Sequence, residues 1–299
     1  MQSRILGVPV KDAVVNLDRQ RRFQGATGGP MSMTTVAVLV DPSADRTPLA
    51  ELVEAGVLTE SEARDLYGAM ARDVCGAVED SGGELLVNYA PAEDGSDAAD
   101  EGDAAAEGGN DPAGDADHDA AERAARELVA DGLSDPSKTR FEVQVGSTHA
   151  ARVGNTVTHL LEREGVQSAA VVEPAAAMME RRHVDSAAMK LRGSEAVLGP
   201  SPGGRVWYAA FTEPIDFTDA FERPAIGTLT DRASDEGYDV DYIERLPLIE
   251  SEVDLASFVA ETRARRRAER WVPPHTAAAI EGLGLGLESD GRDLRVVRD

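Results

Sequence analysis

The residues best placed to do chemistry follow apolar runs that predict β-strands. They are Asp41–Thr47, Gln144–Ser147, Glu173, the loop Gly199–Arg205, and Glu250. In open parallel α/β sheets, ligands bind outside the carboxyl ends of the strands. Two acids and two glycine-bearing loops are therefore predicted to converge on one edge of a sheet, and this edge is the predicted ligand site.

The loop from Gly199 to Arg205 reads GPSPGGR and separates two apolar runs. A phosphate-binding loop needs successive free backbone N–H groups, usually at the start of a helix. Pro200 and Pro202 remove two of these donors, and the following VWYAAF reads as a strand. The loop is therefore predicted to connect two strands. A plain hairpin and the wall of a ligand pocket would both need these glycines.

The elements that must position these residues alternate between strand and helix from Thr34 onward. The run TTVAVLVD suits a buried strand, and the helix after it has apolar residues at Leu66, Met70, Val74 and Val78. Thr59 and Glu62 predict a capping box at the start of that helix. Strands separated by helices indicate the α/β class, with a mostly parallel central sheet and helices on both faces.

Three segments differ in composition. Residues 1–32 are basic and lack periodicity, and we interpret them as a loose N-terminal extension or the product of a misplaced translation start. Residues 33–299 are predicted to form one domain. Residues 92–119 contain acidic side chains and no Lys or Arg, so we expect a disordered insertion there, followed by a helix from about Ala120.

The charge balance restricts the partners. With 30 Lys and Arg against 55 Asp and Glu, the net charge of −25 argues against binding to nucleic acid or an anionic membrane. The acidic, lysine-poor composition is typical of cytoplasmic proteins of salt-loving archaea. No apolar run reaches the ~18 residues of a membrane span. The single cysteine, Cys75, fits a reducing cytoplasm, and a buried helix position is its expected role.

The sequence does not support several common kinds of functional site. GLGLGL (282–287) lacks the dinucleotide-binding spacing, and the arginines of RARRRAER (263–270) fit a helix end, where they complement the dipole. The five histidines show no metal-ligand spacing. No serine lies in a G-x-S-x-G elbow, so hydrolase chemistry has no support.

The order of elements from Thr34 to Arg265 resembles a glycosyltransferase-A-like family of nucleotide-diphospho-sugar transferases of unassigned substrate. That family is related to 2-phospho-L-lactate guanylyltransferase. The matching motifs are Leu66-Tyr67, Gln144-x-Gly146, Arg152, Gly199-Pro200, Gly203-Gly204 and Asp254-Leu255. The resemblance implies the glycosyltransferase-A-like architecture, a nucleotide or nucleotide-sugar ligand and, with the composition, a haloarchaeal member with altered motifs.

The resemblance also implies roles for individual residues. Glu173 and Glu250 stand at the metal-binding positions and would hold Mg or Mn, which neutralises a diphosphate leaving group. The implied nucleotide-binding residues are Arg46, Thr47, Arg152, Gly203 and Gly204. Arg46 and Arg152 would contact phosphate oxygens.

The chain departs from the family at the same positions. The first loop lacks the family's Lys, both metal-binding positions carry Glu where Asp is expected, and the Asp before Gly203 is missing. Glu is longer than Asp by a methylene, which moves the carboxylate away from an octahedral site. The prediction is a nucleotide-binding, glycosyltransferase-like protein with a degenerate site, with its activity left open. The alternatives are a non-catalytic binding or scaffold protein on the same fold, and a guanylyltransferase acting on a phosphorylated hydroxy acid.

Overall fold

The computed structural model describes residues 34–43, 47–91, 112–289 and 291–298. Three of the predictions fall outside these residues: the N-terminal extension 1–32, residues 92–111 of the acidic insertion, and the phosphate contact of Arg46.

A seven-stranded sheet forms the centre of the domain. Its strands are β1 (Thr35–Val40), β2 (Glu84–Tyr89), β3 (Arg140–Val143), β4 (Ala169–Val172), β5 (Ala196–Pro200), β6 (Val206–Phe211) and β7 (Val240–Tyr242). Their order across the sheet is β3-β2-β1-β4-β6-β5-β7. The pairing is parallel except for β6, which is antiparallel to both β4 and β5. The predicted mostly parallel sheet is confirmed.

The helices connect these strands and extend the domain at its C-terminal end. They are α1 (Ala50–Glu54), α2 (Glu60–Glu79), α3 (Pro112–Val129), α4 (His149–Thr158), α5 (Arg181–Lys190), α6 (Ala225–Asp235), α7 (Glu252–Arg267) and α8 (Pro274–Gly282). A second, two-stranded sheet pairs β8 (Leu285–Ser289) with β9 (Leu294–Arg298). Within the described part of the chain, no helix combines the length and apolarity that crossing a membrane requires.

Helices cover both faces of the sheet because alternate strand residues point to opposite sides. Val36, Val38 and Val40 of β1 pack in one core with side chains of α2, α3 and α5. Ala37 and Leu39 pack in a second core with side chains of α4 and α6. A third core joins α1 and α2 to α7 and α8. The predicted α/β class with helices on both faces is therefore confirmed.

The start of α2 follows its sequence signal. The Thr59 hydroxyl accepts a hydrogen bond from the Glu62 backbone N–H, and the Glu62 carboxylate accepts one from the Thr59 N–H at 2.8 Å. This is the predicted capping box. The apolar residues predicted for the buried face, Leu66, Met70, Val74 and Val78, are fully buried.

Two local predictions need correction. Helix α3 begins at Pro112 rather than near Ala120, since Pro is tolerated in a first turn and the following alanines favour helix. Glu250 does not end a strand, because residues 243–250 form an extended loop without a ladder. Pro247 in that stretch has no N–H for a ladder, and single backbone bonds hold the loop at Leu246 and Ile249.

The GPSPGGR loop connects β5 to β6 as an antiparallel hairpin. The Ser201 N–H donates to the carbonyl oxygen of Arg205 at 2.8 Å. Gly203 and Gly204 both have φ of 74°, in the left-handed region that glycine adopts without steric cost. The prediction of a strand connection is confirmed.

Candidate functional site

Two adjoining cavities lie at the carboxyl edge of the sheet. The first, the hairpin cavity, has a volume of about 340 Å³ and is bordered by β6 and the start of α6. The second, the loop cavity, has a volume of about 360 Å³ and is bordered by the loop after β1 and by α2. Both are lined by Leu39, His149, Glu173 and Glu250. These four residues form the junction between the cavities.

Tyr67 of α2 positions the first residue of the loop after β1. Its hydroxyl oxygen accepts a hydrogen bond from the Asp41 backbone N–H at 2.9 Å. Burial raises the pKa of the Tyr67 phenol, so the phenol keeps its proton and can donate to a second group. Both Tyr67 and Asp41 line the loop cavity.

Gln144 joins the ends of the first two strands beneath the loop cavity. Its buried side-chain amide donates hydrogen bonds to the carbonyl oxygens of Val40, at 3.2 Å, and Asn88, at 2.7 Å. The Val40 carbonyl ends β1 and also accepts a hydrogen bond from the Ala90 N–H at 2.8 Å, and the Asn88 carbonyl belongs to the second-last residue of β2. Gln144 therefore holds together the carboxyl ends of β1 and β2, which border the loop cavity.

Arg152 lines the loop cavity from α4. Its Nε donates to the carbonyl oxygen of Gly146 at 3.0 Å. Gly146 has φ of 135°, and a Cβ there would lie 2.9 Å from the backbone of Ala151 and Arg152. The glycine of the Gln-x-Gly motif is therefore required for the close turn that brings the arginine to the cavity.

Arg205, at the end of the hairpin, is held by two acids. Its guanidinium forms a bidentate ion pair with Asp254, in which Nη1 and Nη2 lie 2.9 and 2.8 Å from the two carboxylate oxygens. Nη1 also lies 2.7 Å from Glu250, and Nε donates to the Pro202 carbonyl at 2.8 Å. The hydrogen bonds with Asp254 raise the pKa of Arg205. Arg205 is a fixed positive charge in the wall of the hairpin cavity.

The contacts with Arg205 also change the pKa of Asp254. Burial tends to raise the pKa of this carboxyl, but hydrogen bonds from Arg205 and Ser251 outweigh burial and lower the pKa below its usual value. Asp254 also caps α7, because Ser251 and Asp254 form a capping box there. The hairpin arginine is thus fixed to the start of a long helix.

His149 and Glu173 meet at the junction of the cavities. The His149 Nδ1 lies 3.3 Å from a carboxylate oxygen of Glu173, and both side chains are about half exposed. The His149 ring also packs edge-on against Phe221, with centroids 5.0 Å apart. The spacing of the histidines in the sequence does not identify His149 as a site residue. The signal was its place at the start of the helix that follows the Gln-x-Gly strand end.

The structure brings some of the predicted site residues together and not others. Glu173 and Glu250 line both cavities, and Arg152 lines one. Thr47, Gly203 and Gly204 are described, but neither cavity has them in its lining. The hairpin reaches the site through Arg205 and Val206.

The two predicted metal ligands differ in their fit to a divalent cation. A Glu250 carboxylate oxygen already accepts from Arg205 at 2.7 Å and from Arg223 at 3.2 Å, and two guanidinium groups would repel a cation there. Glu250 therefore does not fit a metal site. Glu173 fits, since it is a half-exposed oxygen donor and Mg usually takes one or two protein carboxylates plus waters and phosphates.

Elsewhere in the described residues, a group of three potential ligands stands outside both cavities. Its members are Glu142, His159 and Glu164, whose donor atoms lie within 4.8 Å of one another. The Arg140 guanidinium contacts both of these glutamates. A guanidinium charge therefore already stands among these potential ligands and opposes a cation there.

These features define an open α/β domain with a two-part cavity at the carboxyl edge of its sheet. Comparison with solved structures finds the same fold in a candidate nucleotide-diphospho-sugar transferase from Desulfovibrio desulfuricans G20. The TM-score is 0.59 at 15% identity, covering 84% of this chain and 95% of that one. This similarity confirms the nucleotide-diphospho-sugar transferase type of architecture.

Structural matches with lower TM-scores include a synthetase and a cytidylyltransferase. CMP:2-keto-3-deoxy-manno-octonic acid synthetase, complexed with CTP, gives a TM-score of 0.43 at 10% identity, covering 80% of this chain and 100% of that one. A cytidylyltransferase from Leptospira borgpetersenii gives 0.43 at 9% identity, covering 84% and 94%. No protein-family model and no curated protein matches this chain.

Proposed function

We propose that this protein binds a nucleotide or nucleotide-sugar at the carboxyl edge of its sheet and transfers a glycosyl or nucleotidyl group to a second ligand. The observation that carries the proposal is the pair of cavities that meet at His149, Glu173 and Glu250. A transferase has to hold two reactants side by side, and each cavity falls within the size range of small-molecule pockets.

The loop cavity is the proposed nucleotide site. The Tyr67 phenol can donate a hydrogen bond, and Arg152 offers a guanidinium to phosphate oxygens. The same cavity also carries the carboxylates of Asp41, Glu51, Glu173 and Glu250. So many acids around one arginine disfavour a bare polyphosphate. The nucleotide is therefore expected to bind together with a cation.

Glu173 is the residue proposed to hold Mg or Mn. When bound, such an ion neutralises the charge that develops on a diphosphate leaving group. The chain's own residues position the reactants: Gln144 fixes the strand ends, Arg152 binds phosphate, and the His149 ring stands beside Glu173 between the two ligands. Glu250 has no metal role in this proposal.

A calorimetric binding panel tests the proposal. Nucleoside mono-, di- and triphosphates and nucleotide-sugars would be titrated in concentrated KCl, with Mg, with Mn and with EDTA. We expect at least one nucleotide to bind more tightly with the metal. Arg152→Gln should weaken that binding about ten- to a hundredfold, because it removes a charge-assisted hydrogen bond to the phosphate. Glu173→Gln should remove the dependence on the metal.

The matched control is Arg232→Gln, because Arg232 lies on α6 in an exposed ion pair with Asp216 and lines neither cavity. This variant should bind nucleotides like the unmodified protein. If no nucleotide binds under any condition, the proposed function is wrong and the non-catalytic scaffold is the better description. Binding of a guanine nucleotide alone would favour the guanylyltransferase alternative. A cytoplasmic location and the absence of nucleic-acid partners stay predictions from composition.

A further inference from the structure

Two arginines of the hairpin cavity share one carboxylate oxygen. Arg205 and Arg223 both donate to Oε2 of Glu250, at 2.7 and 3.2 Å. Arg205 is nearly buried and held by Asp254, whereas the Arg223 side chain is 62% exposed. Within the described residues, the Arg223 guanidinium has Glu250 as its partner. The other N–H groups of that guanidinium have no partner there. Arg223 is therefore the movable member of the pair.

The helix that follows Arg223 adds further donors. Helix α6 spans eleven residues from Ala225, and no side chain caps its start. The Gly227 and Thr228 N–H groups bond back to the Pro224 carbonyl. The N–H groups of Ala225 and Ile226 have no partner among the described residues, and Ala225 lines the hairpin cavity. Free N–H groups and the dipole of a helix start both favour a negative charge.

We propose that Arg205, Arg223 and the start of α6 form an anion-binding site in the hairpin cavity, and that Glu250 is its internal counter-ion. The ligand of this cavity then carries a phosphate or carboxylate group that replaces Glu250 on Arg223. The inference rests on the proposed function in one respect: it gives the chemical class of the second ligand. The anion site itself is defined by its own residues.

The energetics allow this exchange. An ion pair as exposed as Arg223–Glu250 contributes little to stability, so opening it costs little. Arg205 would keep its contact with Asp254 and would not have to move. A phosphate or carboxylate can accept from Arg223 while its remaining oxygens face the N–H groups of α6.

Glu250→Gln separates this role from that of a metal ligand, because the two roles predict changes of opposite sign. As a counter-ion, Glu250 competes with the bound anion, so its removal should tighten anion binding about three- to fivefold. As a metal ligand, its removal would weaken any ligand bound through Mg or Mn. Arg223→Gln should weaken anion binding about ten- to a hundredfold.

The test is calorimetry with glycerol 1-phosphate, lactate and uncharged glycerol as probes, at constant KCl concentration, in one series with EDTA and in a second series with Mg. We expect the phosphate, the carboxylate or both to bind and glycerol not to bind. If one of the two anions binds more tightly, its charged group shows whether the ligand of this cavity carries a phosphate or a carboxylate. Arg232→Gln, an arginine of α6 outside the cavity, is the control and should leave binding unchanged. Thermal melts of each variant establish that it is folded.

The inference is overturned if neither anion binds, if Arg223→Gln binds as tightly as the unmodified protein, or if Glu250→Gln weakens binding. Titrating a nucleotide in the same samples shows whether the anion site alone has failed or the proposed function has failed as well. Nucleotide binding without anion binding removes only the anion site. Anion binding without any nucleotide binding leaves the site intact and removes the transferase role.

Discussion

The indole of Trp207 lies against the backbone of Gly199 on the neighbouring strand. A Cβ atom at Gly199 would fall 2.6 Å from both Nε1 and Cε2 of Trp207. The indole cannot easily shift, since it is buried and its Nε1 donates to the Glu244 carbonyl at 3.0 Å. The glycine of the Gly-Pro motif is therefore required by side-chain packing next to the hairpin cavity.

Gly199→Ala should destabilise the protein by about 1–3 kcal/mol, the usual range for overpacking a well-packed core. Denaturant unfolding in concentrated KCl measures this loss. Gly193→Ala is the matched control, because the nearest atom to a Cβ there is a backbone oxygen at 3.9 Å. Equal stability of the two variants would show that the Trp207 ring moves aside without cost.

Asp254→Asn should cost about 3–5 kcal/mol, because it leaves the nearly buried Arg205 without its main partner. Glu60→Gln breaks an exposed pair with Arg64 and should cost no more than about 1 kcal/mol. Urea titrations at neutral pH compare the two. A loss at Asp254 as small as that at Glu60 would mean that Glu250 compensates for the missing contact.

Several elements of the fold could be predicted from the sequence because their signals are local. The apolar spacing of Leu66, Met70, Val74 and Val78 gave the buried face of α2, and Thr59 with Glu62 gave its first residue. The position of β6 between β4 and β5 could not be predicted. Its residues 207–211 are buried, and a buried strand has the same apolar pattern wherever it lies in the sheet.

The site was harder to predict because its contacts are non-local. His149 became a candidate only through Glu173, which ends a different strand. The sequence placed Glu250 at the correct edge for the wrong reason, since it lies in a loop and not at a strand end. Its contacts with Arg205 and Arg223 depend on tertiary packing, and no spacing along the chain reveals them.

Acid should weaken the contact between Glu62 and the C-terminal strand β9. The hydrogen bond from Arg298 and the backbone bond at Thr59 lower the pKa of Glu62 from 4.5 to about 2. A group with a lowered pKa in the folded state stabilises it fully above the unfolded value of 4.5 and loses this effect as pH falls to about 2. Within that window, Glu62→Gln and Arg298→Gln should both reduce the dependence of unfolding free energy on pH. A dependence unchanged in both variants would contradict the assignment.

The Tyr67 hydroxyl should matter for both stability and binding. Tyr67→Phe removes the acceptor of the Asp41 N–H, 2.9 Å away, at the first residue of the loop after β1. The expected loss of stability is about 0.5–1.5 kcal/mol, typical of one hydrogen bond. Because Tyr67 and Asp41 both line the loop cavity, nucleotide binding should also weaken severalfold, in calorimetric titrations with the nucleotide that binds the unmodified protein. Tyr242→Phe is the control, since its hydroxyl bonds Thr230 at 2.9 Å on an exposed surface away from both cavities. This control should leave nucleotide affinity unchanged. If the two variants lose stability equally and neither loses affinity, Tyr67 supports the loop only, and the nucleotide does not occupy the loop cavity.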